Sequence, residues 1–274
     1  MTEKTADLHI HSFYSDGTMS PEEILEEAIQ NNVGLLAITD HDMLIGSLEL
    51  QELCRNQDIM YVSGVEIDSL EQGLNYHILG YGIDLGDKIF AEFIRNNCHM
   101  LFDFNSILIK KMEKDYPKIS FAEYQAYSYD CRKGGWKALH YLMEKGITTS
   151  LREGFAVYIK YDCYHNSVDF PSIRTACNYI HNAGGKAVLA HPGVSIIETD
   201  LTLFKMKLLE FIDYGLDGIE CYYVTHSNEI TQACLKLCEE GNLMITAGSD
   251  CHGAFGNAHV GDVNIPISKI KFDL

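Results

Sequence analysis

Two histidines near the start of the chain, His9 and His11, have the spacing of paired metal ligands. Side chains two residues apart on a strand point to the same face, so both imidazoles can reach one ion. Asp16 follows after a short loop and adds a carboxylate. Surface strands also carry such histidine pairs by chance. This pair is therefore evidence for a metal site only if later strands end in further residues of metal-ligand type.

Further residues of metal-ligand type lie at the ends of other apolar segments. With the first three, the candidate metal ligands are His9, His11, Asp16, His41, Glu66, His77, His191, Asp250 and His252. Any one of them alone is more commonly a satisfied core histidine or a surface acid, and their joint placement is what favours a metal site. Imidazole and carboxylate ligands suit Zn, Mn or Fe, and nine ligands would serve two or three divalent ions.

The elements that must position these side chains are short apolar strands alternating with amphipathic helices. Strands are expected near residues 7–11, 35–39, 60–66, 76–81, 186–190, 217–221 and 243–248, and helices near 20–29, 47–54, 171–183, 201–213 and 228–240. This alternation predicts an α/β fold with a parallel sheet. A barrel, which gathers all strand ends on one rim, is favoured over an open doubly wound sheet.

Residues 85–168 interrupt the alternation. They contain helical patterns at 90–112, 121–127, 136–145 and 150–161 without an obvious strand. We therefore expect residues 1–84 and 169–274 to form the metal-binding barrel. Residues 85–168 are expected to form an inserted helical subdomain standing over its rim.

The composition describes an acidic protein that is able to form a core. It has 274 residues, 46% of them hydrophobic, and a net charge of −18, which repels phosphates and argues against binding long nucleic acid. Nine cysteines without a C-x-x-C motif indicate reduced thiols. With no signal-peptide pattern and no apolar run long enough to span a membrane, a cytoplasmic protein is expected.

The ligand-bearing motifs resemble those of the PHP (polymerase and histidinol phosphatase) family of metal-dependent phosphoesterases. They are His9-Ile10-His11, Ile38-Thr39-Asp40-His41-Asp42, Gly64-Val65-Glu66, His77, Ala190-His191-Pro192-Gly193 and Gly248-Ser249-Asp250-Cys251-His252. The resemblance covers the chain outside residues 85–168. It implies a distorted (β/α)7 barrel, which agrees with the number of expected strands.

The resemblance also implies three metal positions, two of which share one carboxylate. The first set is His9, His11, Glu66 and Asp250; the second is Glu66, His77 and His191; the third is Asp16, His41 and His252. The expected chemistry is attack of a metal-bridging hydroxide on phosphorus, while a third ion neutralises the developing charge.

Within the family, the chain most resembles the subgroup that acts on nucleoside 3′,5′-bisphosphates and on short oligonucleotide ends. The resemblance rests on the turn at residues 15–18, the place of the insert, and residues 184–193. The subgroup commonly carries an Arg-Pro-His motif in the insert, where this chain has Gly134-Gly135-Trp136-Lys137-Ala138. This departure leaves the identity of the substrate open.

Several other residues are candidates for contacting the substrate. Three bases flank the Gly-Gly turn of the insert and could hold a phosphate, although a solvated loop is an equal alternative: Arg132, Lys133 and Lys137. His226 could bind the substrate and protonate a leaving oxygen, and it joins Asp250 as a catalytic candidate. Aromatic side chains that could stack on a base, or else belong to the core, are Trp136, Tyr222 and Tyr223. Asp40 and Asp42 could orient imidazoles.

The leading hypothesis is a metal-dependent phosphoesterase that removes phosphate from a small, nucleotide-like phosphomonoester. The alternatives within the enzyme class are a phosphatase of the histidinol-phosphate type and a 5′–3′ exonuclease of short RNA. A noncatalytic, metal-stabilised module is the alternative outside it. The expected partner is a small phosphorylated substrate, with no long nucleic acid and no membrane, and the oligomeric state stays open.

Overall fold

The computed structural model describes residues 3–272 as strands and helices in the expected alternation. The strands are β1 (Thr5–Asp7), β2 (Val33–Leu36), β3 (Met60–Tyr61), β4 (Gly64–Glu71), β5 (Leu74–Tyr81), β6 (Lys186–Leu189), β7 (Gly218–Tyr223), β8 (Met244–Gly248) and β9 (Ile265–Pro266). The helices are α1 (Pro21–Gln30), α2 (Ile45–Cys54), α3 (Lys88–Met112), α4 (Phe121–Ala126), α5 (Lys137–Glu144), α6 (Glu153–Lys160), α7 (Ile173–Asn182), α8 (Pro192–Ser195), α9 (Leu201–Ile212) and α10 (Asn228–Gly241).

Local sequence signals explain where the first helix begins. The Ser20 hydroxyl accepts the Glu23 backbone N–H at 3.2 Å, and the Glu23 carboxylate accepts the Ser20 backbone N–H at 2.7 Å. This reciprocal capping box, with Pro21 in the first turn, satisfies N–H groups that have no partner inside the helix. Helix α1 then buries Ile24 and Leu25 against β2 and α2. It is the helix that the sequence predicts after the first ligand motif.

The strands pair into two sheets. One has the order β3-β2-β1-β9 and the other the order β4-β5-β6-β7-β8. The predicted α/β class is confirmed, and no closed barrel of paired strands is found within residues 3–272. The strand expected at residues 60–66 is divided, since β3 pairs with β2 in the first sheet while β4 begins the second.

Isolated bridges join the two sheets at the ends that carry the candidate ligands. His41 pairs with Glu66 just after β2, and Ile10 pairs with Cys251 just after β1 and β8. His9 and His11 flank the bridging Ile10 as Asp250 and His252 flank Cys251. The ligand-bearing ends therefore meet although the strands do not close into one ring.

Strand β5 corrects the expectation of an all-parallel arrangement. It runs antiparallel to both β4 and β6, because a two-residue hairpin at Gln72 and Gly73 reverses the chain after β4. The φ angles of these two residues are 52° and 82°, as a turn of this kind requires. The register pairs His77 with Asp68, which places His77 in the middle of β5 yet beside the end of β4 that carries Glu66.

The chain from residue 101 to residue 170 has an apolar core separate from the cores that pack on the sheets. Helix α3 belongs to both, since Phe90 and Ile94 pack in the core against α7 and the second sheet, whereas Leu101 and Leu108 pack with α4, α5 and α6. All nine cysteines are free thiols. None of the helices described is long and apolar enough to cross a membrane.

The hairpin turn generates a test of stability. Gly73→Ala is expected to lower the free energy of unfolding by about 1–2 kcal/mol, because a Cβ is disfavoured at positive φ. Crowding contributes little there, since the nearest atom to that Cβ would be Asn166 Nδ2 at 3.8 Å. Urea unfolding measures the change. Gly73→Asn is the control and should retain most of the stability, because Asn tolerates this conformation; equal losses in the two variants would contradict the turn's role.

Candidate metal centre

One buried carboxylate, that of Glu66, lies at the centre of the candidate ligands. Its side chain is 1% exposed. Five imidazole nitrogens lie within 3.4 Å of its oxygens: His9 Nε2 (3.1 Å), His11 Nε2 (3.1 Å) and His41 Nε2 (3.4 Å) on Oε2, and His77 Nδ1 (2.9 Å) and His191 Nε2 (3.2 Å) on Oε1. A strand of the second sheet and three separate loops thus converge on one side chain.

Two further carboxylates complete the cluster on the side of β1 and β8. Asp250 Oδ1 lies 3.1 Å from His11 Nε2 and 3.4 Å from His9 Nε2. Asp16 Oδ1 lies 3.2 Å from His252 Nε2 and 3.6 Å from His11 Nδ1. The structure therefore brings together all nine residues that the sequence singles out as metal ligands.

Within the cluster, three groups each offer ligand atoms that lie within 4.8 Å of one another: His9, His11, Glu66 and Asp250; His41, Glu66 and His77; His11, Asp16, His41 and His252. The first group is the set expected for the first metal position. In the second group, His41 stands where His191 is expected, and the third group contains His11 in addition to its expected members.

The cluster has the donor atoms and the unmet bonding capacity that a metal centre requires. Its donors are imidazole nitrogens and carboxylate oxygens, the set that Zn, Mn and Fe accept. Six of its buried polar atoms make no hydrogen bond of suitable geometry, although Glu66 Oε2 lies only 3.1 Å from the nearest imidazole nitrogens: His9 Nε2, His11 Nε2, Asp16 Oδ1, His41 Nδ1, Glu66 Oε2 and His191 Nδ1. Buried polar atoms are rarely left unpaired, so these residues fit one or more bound cations.

The electrostatics of the cluster show how strongly its members depend on one another. Burial disfavours the charged form of His11, but the carboxylates of Asp250 and Glu66 outweigh burial and raise the His11 pKa to about 10. Burial also opposes the charge of Glu66, yet the surrounding imidazoles hold the pKa of Glu66 well below its usual range. His41 differs, because burial lowers its pKa to about 4. Divalent cations would supply the positive charge that protons on these imidazoles otherwise supply.

Two buried acids that the sequence analysis gave no role hold the histidines in place. Glu220 Oε1 lies 3.0 Å from His9 Nδ1, and Glu220 Oε2 accepts the backbone N–H of His191 at 2.7 Å. Asp68 lies 3.3 Å from His77 Nε2 and 3.6 Å from His41 Nδ1. A signal for both was available: Glu66 and Asp68 repeat the spacing of His9 and His11, and Glu220 is an acid inside an apolar strand.

The acids expected to orient imidazoles have other partners. Asp40 accepts hydrogen bonds from the backbone N–H and hydroxyl of Ser12 and from the hydroxyl of Ser15, each at 2.7 Å. Asp42 accepts a hydrogen bond from the Asn97 amide of α3. Asp40 therefore shapes the loop before Asp16, and Asp42 connects the end of β2 to α3.

The bases expected to hold phosphate also have other partners. Arg132 pairs with Glu23 at the start of α1 at 2.6 Å. Lys137 donates to the Gln125 carbonyl at 3.1 Å, and Lys133 lines a cavity formed within the insert around Tyr129. The hydrogen bonds described for these three bases do not include one to the cluster.

The two ring nitrogens of His226 are also engaged. Nδ1 lies 3.1 Å from the Cys221 carbonyl, and Nε2 accepts the backbone N–H of Gly193 at 3.1 Å. Burial lowers the pKa of His226. This bonding indicates a neutral imidazole that braces the start of α8 against β7, and it does not support the expected transfer of a proton to a leaving group.

Comparison with known proteins places the fold and the cluster in a family. The family model described as the PHP domain matches residues 7–160. The chain belongs to the PHP family. The identification that the motifs predict is thereby confirmed.

Several curated relatives of this PHP chain are named for the hydrolysis of phosphate esters. The phosphoribosyl 1,2-cyclic phosphate 1,2-diphosphodiesterase of Eggerthella lenta is 30% identical, and the match covers 93% of this chain and 97% of that protein. The 5′-3′ exoribonuclease Rnm of Escherichia coli is 29% identical over 90% of this chain and 84% of that protein. The 3′,5′-nucleoside bisphosphate phosphatase of Chromobacterium violaceum is 27% identical over 90% of this chain and 86% of that protein.

Solved structures share the architecture. An amidohydrolase of Chromobacterium violaceum, solved with bound sulfate and without metal, superimposes with a TM-score of 0.76 at 26% identity, covering 97% of this chain and 95% of that chain. A structure from Bifidobacterium adolescentis superimposes with a TM-score of 0.77 at 23% identity, covering 94% and 91% of the two chains. The two-sheet arrangement of this PHP chain is thus that of solved proteins along nearly its whole length.

The contacts of Glu220 generate a test of the cluster. Glu220→Ala should weaken binding of Mn²⁺ or Zn²⁺ by about 10- to 100-fold, because it removes the partner of His9 Nδ1 and leaves the His191 N–H unpaired. Isothermal titration calorimetry on the chelated and reloaded protein measures the change. The exposed Glu239→Ala on α10 is the matched control. Unchanged metal affinity in a folded Glu220→Ala protein would contradict the positioning role.

Proposed function

We propose that this PHP chain is a metal-dependent phosphoesterase that hydrolyses a small, nucleotide-like phosphomonoester. The observation that carries the proposal is the convergence of five imidazoles on the Glu66 carboxylate, with buried nitrogens and oxygens left without hydrogen-bond partners. Buried atoms without hydrogen-bond partners fit added cations, and the partly exposed side chains of His77 and Asp250 would leave such cations open to a substrate, as a catalytic centre requires.

Two or three divalent ions, Mn, Zn or Fe, would be held by the residue sets expected from the sequence. Those sets are His9, His11, Glu66 and Asp250; Glu66, His77 and His191; and Asp16, His41 and His252. When bound, such ions lower the pKa of water to near neutrality and stabilise negative charge on a phosphoryl group. The side chains supply the geometry, since the buried partners of His9 and His77 fix which ring nitrogen faces the cluster.

The cluster is partly accessible, and its exposed members define where a phosphate would approach. His9, His11 and Glu66 are buried, whereas the side chains of His77 and Asp250 are 22% and 20% exposed. The Tyr223 hydroxyl donates to Asp250 Oδ2 at 2.9 Å and holds that carboxylate at the accessible edge. We propose that residues 85–168 form the subdomain that covers this edge, since the Trp136 ring lies 5.9 Å from that of His41.

The choice of a small substrate rests on charge and on the relatives. A net charge of −18 disfavours long polyanions, and the nucleoside bisphosphate phosphatase relative is named for a small nucleotide. The exoribonuclease relatives support a second candidate, hydrolysis at the 5′ end of a short RNA. A short strand could reach the cluster from the same accessible side.

Phosphate release from a panel of substrates tests the proposal. The metal-loaded protein, with Mn²⁺ and separately with Zn²⁺, is given a nucleoside 3′,5′-bisphosphate, nucleoside monophosphates, histidinol phosphate, phosphoribosyl cyclic phosphate and a short 5′-phosphorylated RNA. The proposal expects turnover of a nucleotide, lost on chelation and restored by metal. Preference for the RNA selects the second candidate, and no turnover of any member with metal bound overturns the hydrolase assignment.

Glu66→Gln is the sharpest single substitution. It removes the negative charge on which the imidazoles converge, so turnover should fall by at least about 100-fold, together with the amount of metal retained after dialysis. Metal analysis and phosphate release are measured on the same preparation. Glu92→Gln, at an exposed position on α3, is the matched control and should keep both. Full activity of Glu66→Gln would contradict the assignment.

A further inference from the structure

A cavity lined mainly by aromatic side chains lies in the helical insert. Its volume is about 250 Å³, and its walls come from α3, α6, the start of α5 and the segment after α6. The rings that line it are Phe104, Trp136, Phe155, Tyr158, Tyr164 and His165. Functional pockets for whole small molecules span about 300–1,000 Å³, so this cavity suits one ring system rather than a complete nucleotide.

Two of the wall residues connect the cavity to the metal centre. The Trp136 ring lies 5.9 Å from the ring of His41, one of the candidate ligands. The charges of Asp68 and His77 also act on the ring of His165. A ligand stacked on Trp136 in the cavity would therefore lie within one ring of a candidate metal ligand.

The walls have the chemistry that recognises a flat heterocycle. Phe104 stacks on His165 with ring centroids 4.6 Å apart, and Tyr158 lies 5.2 Å from Phe104 on another side. Among the hydrogen bonds of residues 3–272, none engages the ring nitrogens of His165, so they are free to bond the edge of a base. The Asn105 amide is already occupied, by the Tyr158 hydroxyl and the Leu101 carbonyl.

We propose that this cavity binds the nucleobase of the substrate, between Trp136 and the aromatic side chains of α3 and α6, while the phosphate lies at the metal centre. The proposal rests on the proposed function and adds the part of the substrate that the cluster does not recognise. Stacking selects a base over a bare sugar phosphate and discriminates weakly among bases, because every base has a π-face.

A second cavity lies on the other side of Trp136 and is the competing location. Its volume is about 320 Å³, and its lining includes Phe102, Tyr127 and Tyr129. The cavity lined by His165 is favoured because no hydrogen bond within residues 3–272 engages the ring nitrogens of His165. In the second cavity, Lys137 already donates to the Gln125 carbonyl.

Trp136 is the chain's one tryptophan and lines both cavities, so its fluorescence reports on a ligand in either of them. Metal-loaded protein, excited at a wavelength where nucleosides do not absorb, is titrated with adenosine, with cytidine and with ribose 5-phosphate. The proposal expects saturable quenching by both nucleosides and none by ribose 5-phosphate. Unchanged emission with the nucleosides, or equal quenching by the sugar phosphate, overturns it.

Two matched substitutions distinguish the cavities. Phe155 is 46% exposed at the first cavity and Phe102 is 43% exposed at the second, so neither substitution removes a buried side chain. Phe155→Ala should raise the Kd for adenosine about tenfold, whereas Phe102→Ala should leave it within about twofold. The reverse pattern, or no change in either variant, overturns the proposal.

The proposed phosphoesterase function and the proposed base-binding cavity can be refuted independently of each other. Quenching by nucleosides without phosphate release from any substrate would refute the proposed function and leave a base-binding cavity. Phosphate release with the same KM for a nucleotide and for ribose 5-phosphate would support the phosphoesterase and overturn the base site.

Discussion

The structure depends on keeping the Glu66 carboxylate ionised inside the protein. An isolated buried carboxylate would be neutralised, because removing its charge from water costs far more than folding can offset. Here the imidazoles around it hold its pKa well below the usual range. Those imidazoles are buried as well, so they need partners of their own, which Glu220 and Asp68 supply. The buried charge of Glu66 thus requires imidazoles around it, and these imidazoles in turn require the buried acids Glu220 and Asp68.

The backbone around the cluster is shaped by the same requirement. His191 and Asp250 have φ angles of 28° and 54°, a region that residues with a Cβ seldom adopt. Each lies shortly after the end of a strand, β6 or β8. Such conformations persist where surrounding contacts over-determine them. The Glu220 carboxylate holds the His191 N–H, and the Asp250 N–H donates to the His9 carbonyl at 2.8 Å. The strained residues are therefore fixed by the elements that carry the other ligands.

Which residues would meet at one site could be predicted from sequence, because the residue types and their places after apolar strands do not depend on how the strands pair. The pairing of the strands into two sheets could not be predicted in this way. Residues 60–66 form one apolar run, and nothing in their periodicity shows that Met60 and Glu66 belong to different sheets. The positive φ angles at Gln72 and Gly73 reverse the chain with a turn too short to stand out in sequence. The contacts of Arg132 depend on Glu23, 109 residues away, which periodicity cannot reveal.

The charged side chains that already have partners indicate which part of the protein would bind each part of the substrate. Arg132 is held by Glu23, Lys137 by a backbone carbonyl, and the protein as a whole carries a charge of −18. Arg132 and Lys137 are therefore already engaged, and we expect attraction for a phosphate to come from the centre that Glu66 organises. The insert also presents an aromatic side chain at this centre, since the Trp136 ring lies 5.9 Å from that of His41. A substrate with a phosphate at one end and a flat apolar ring at the other matches both environments at once.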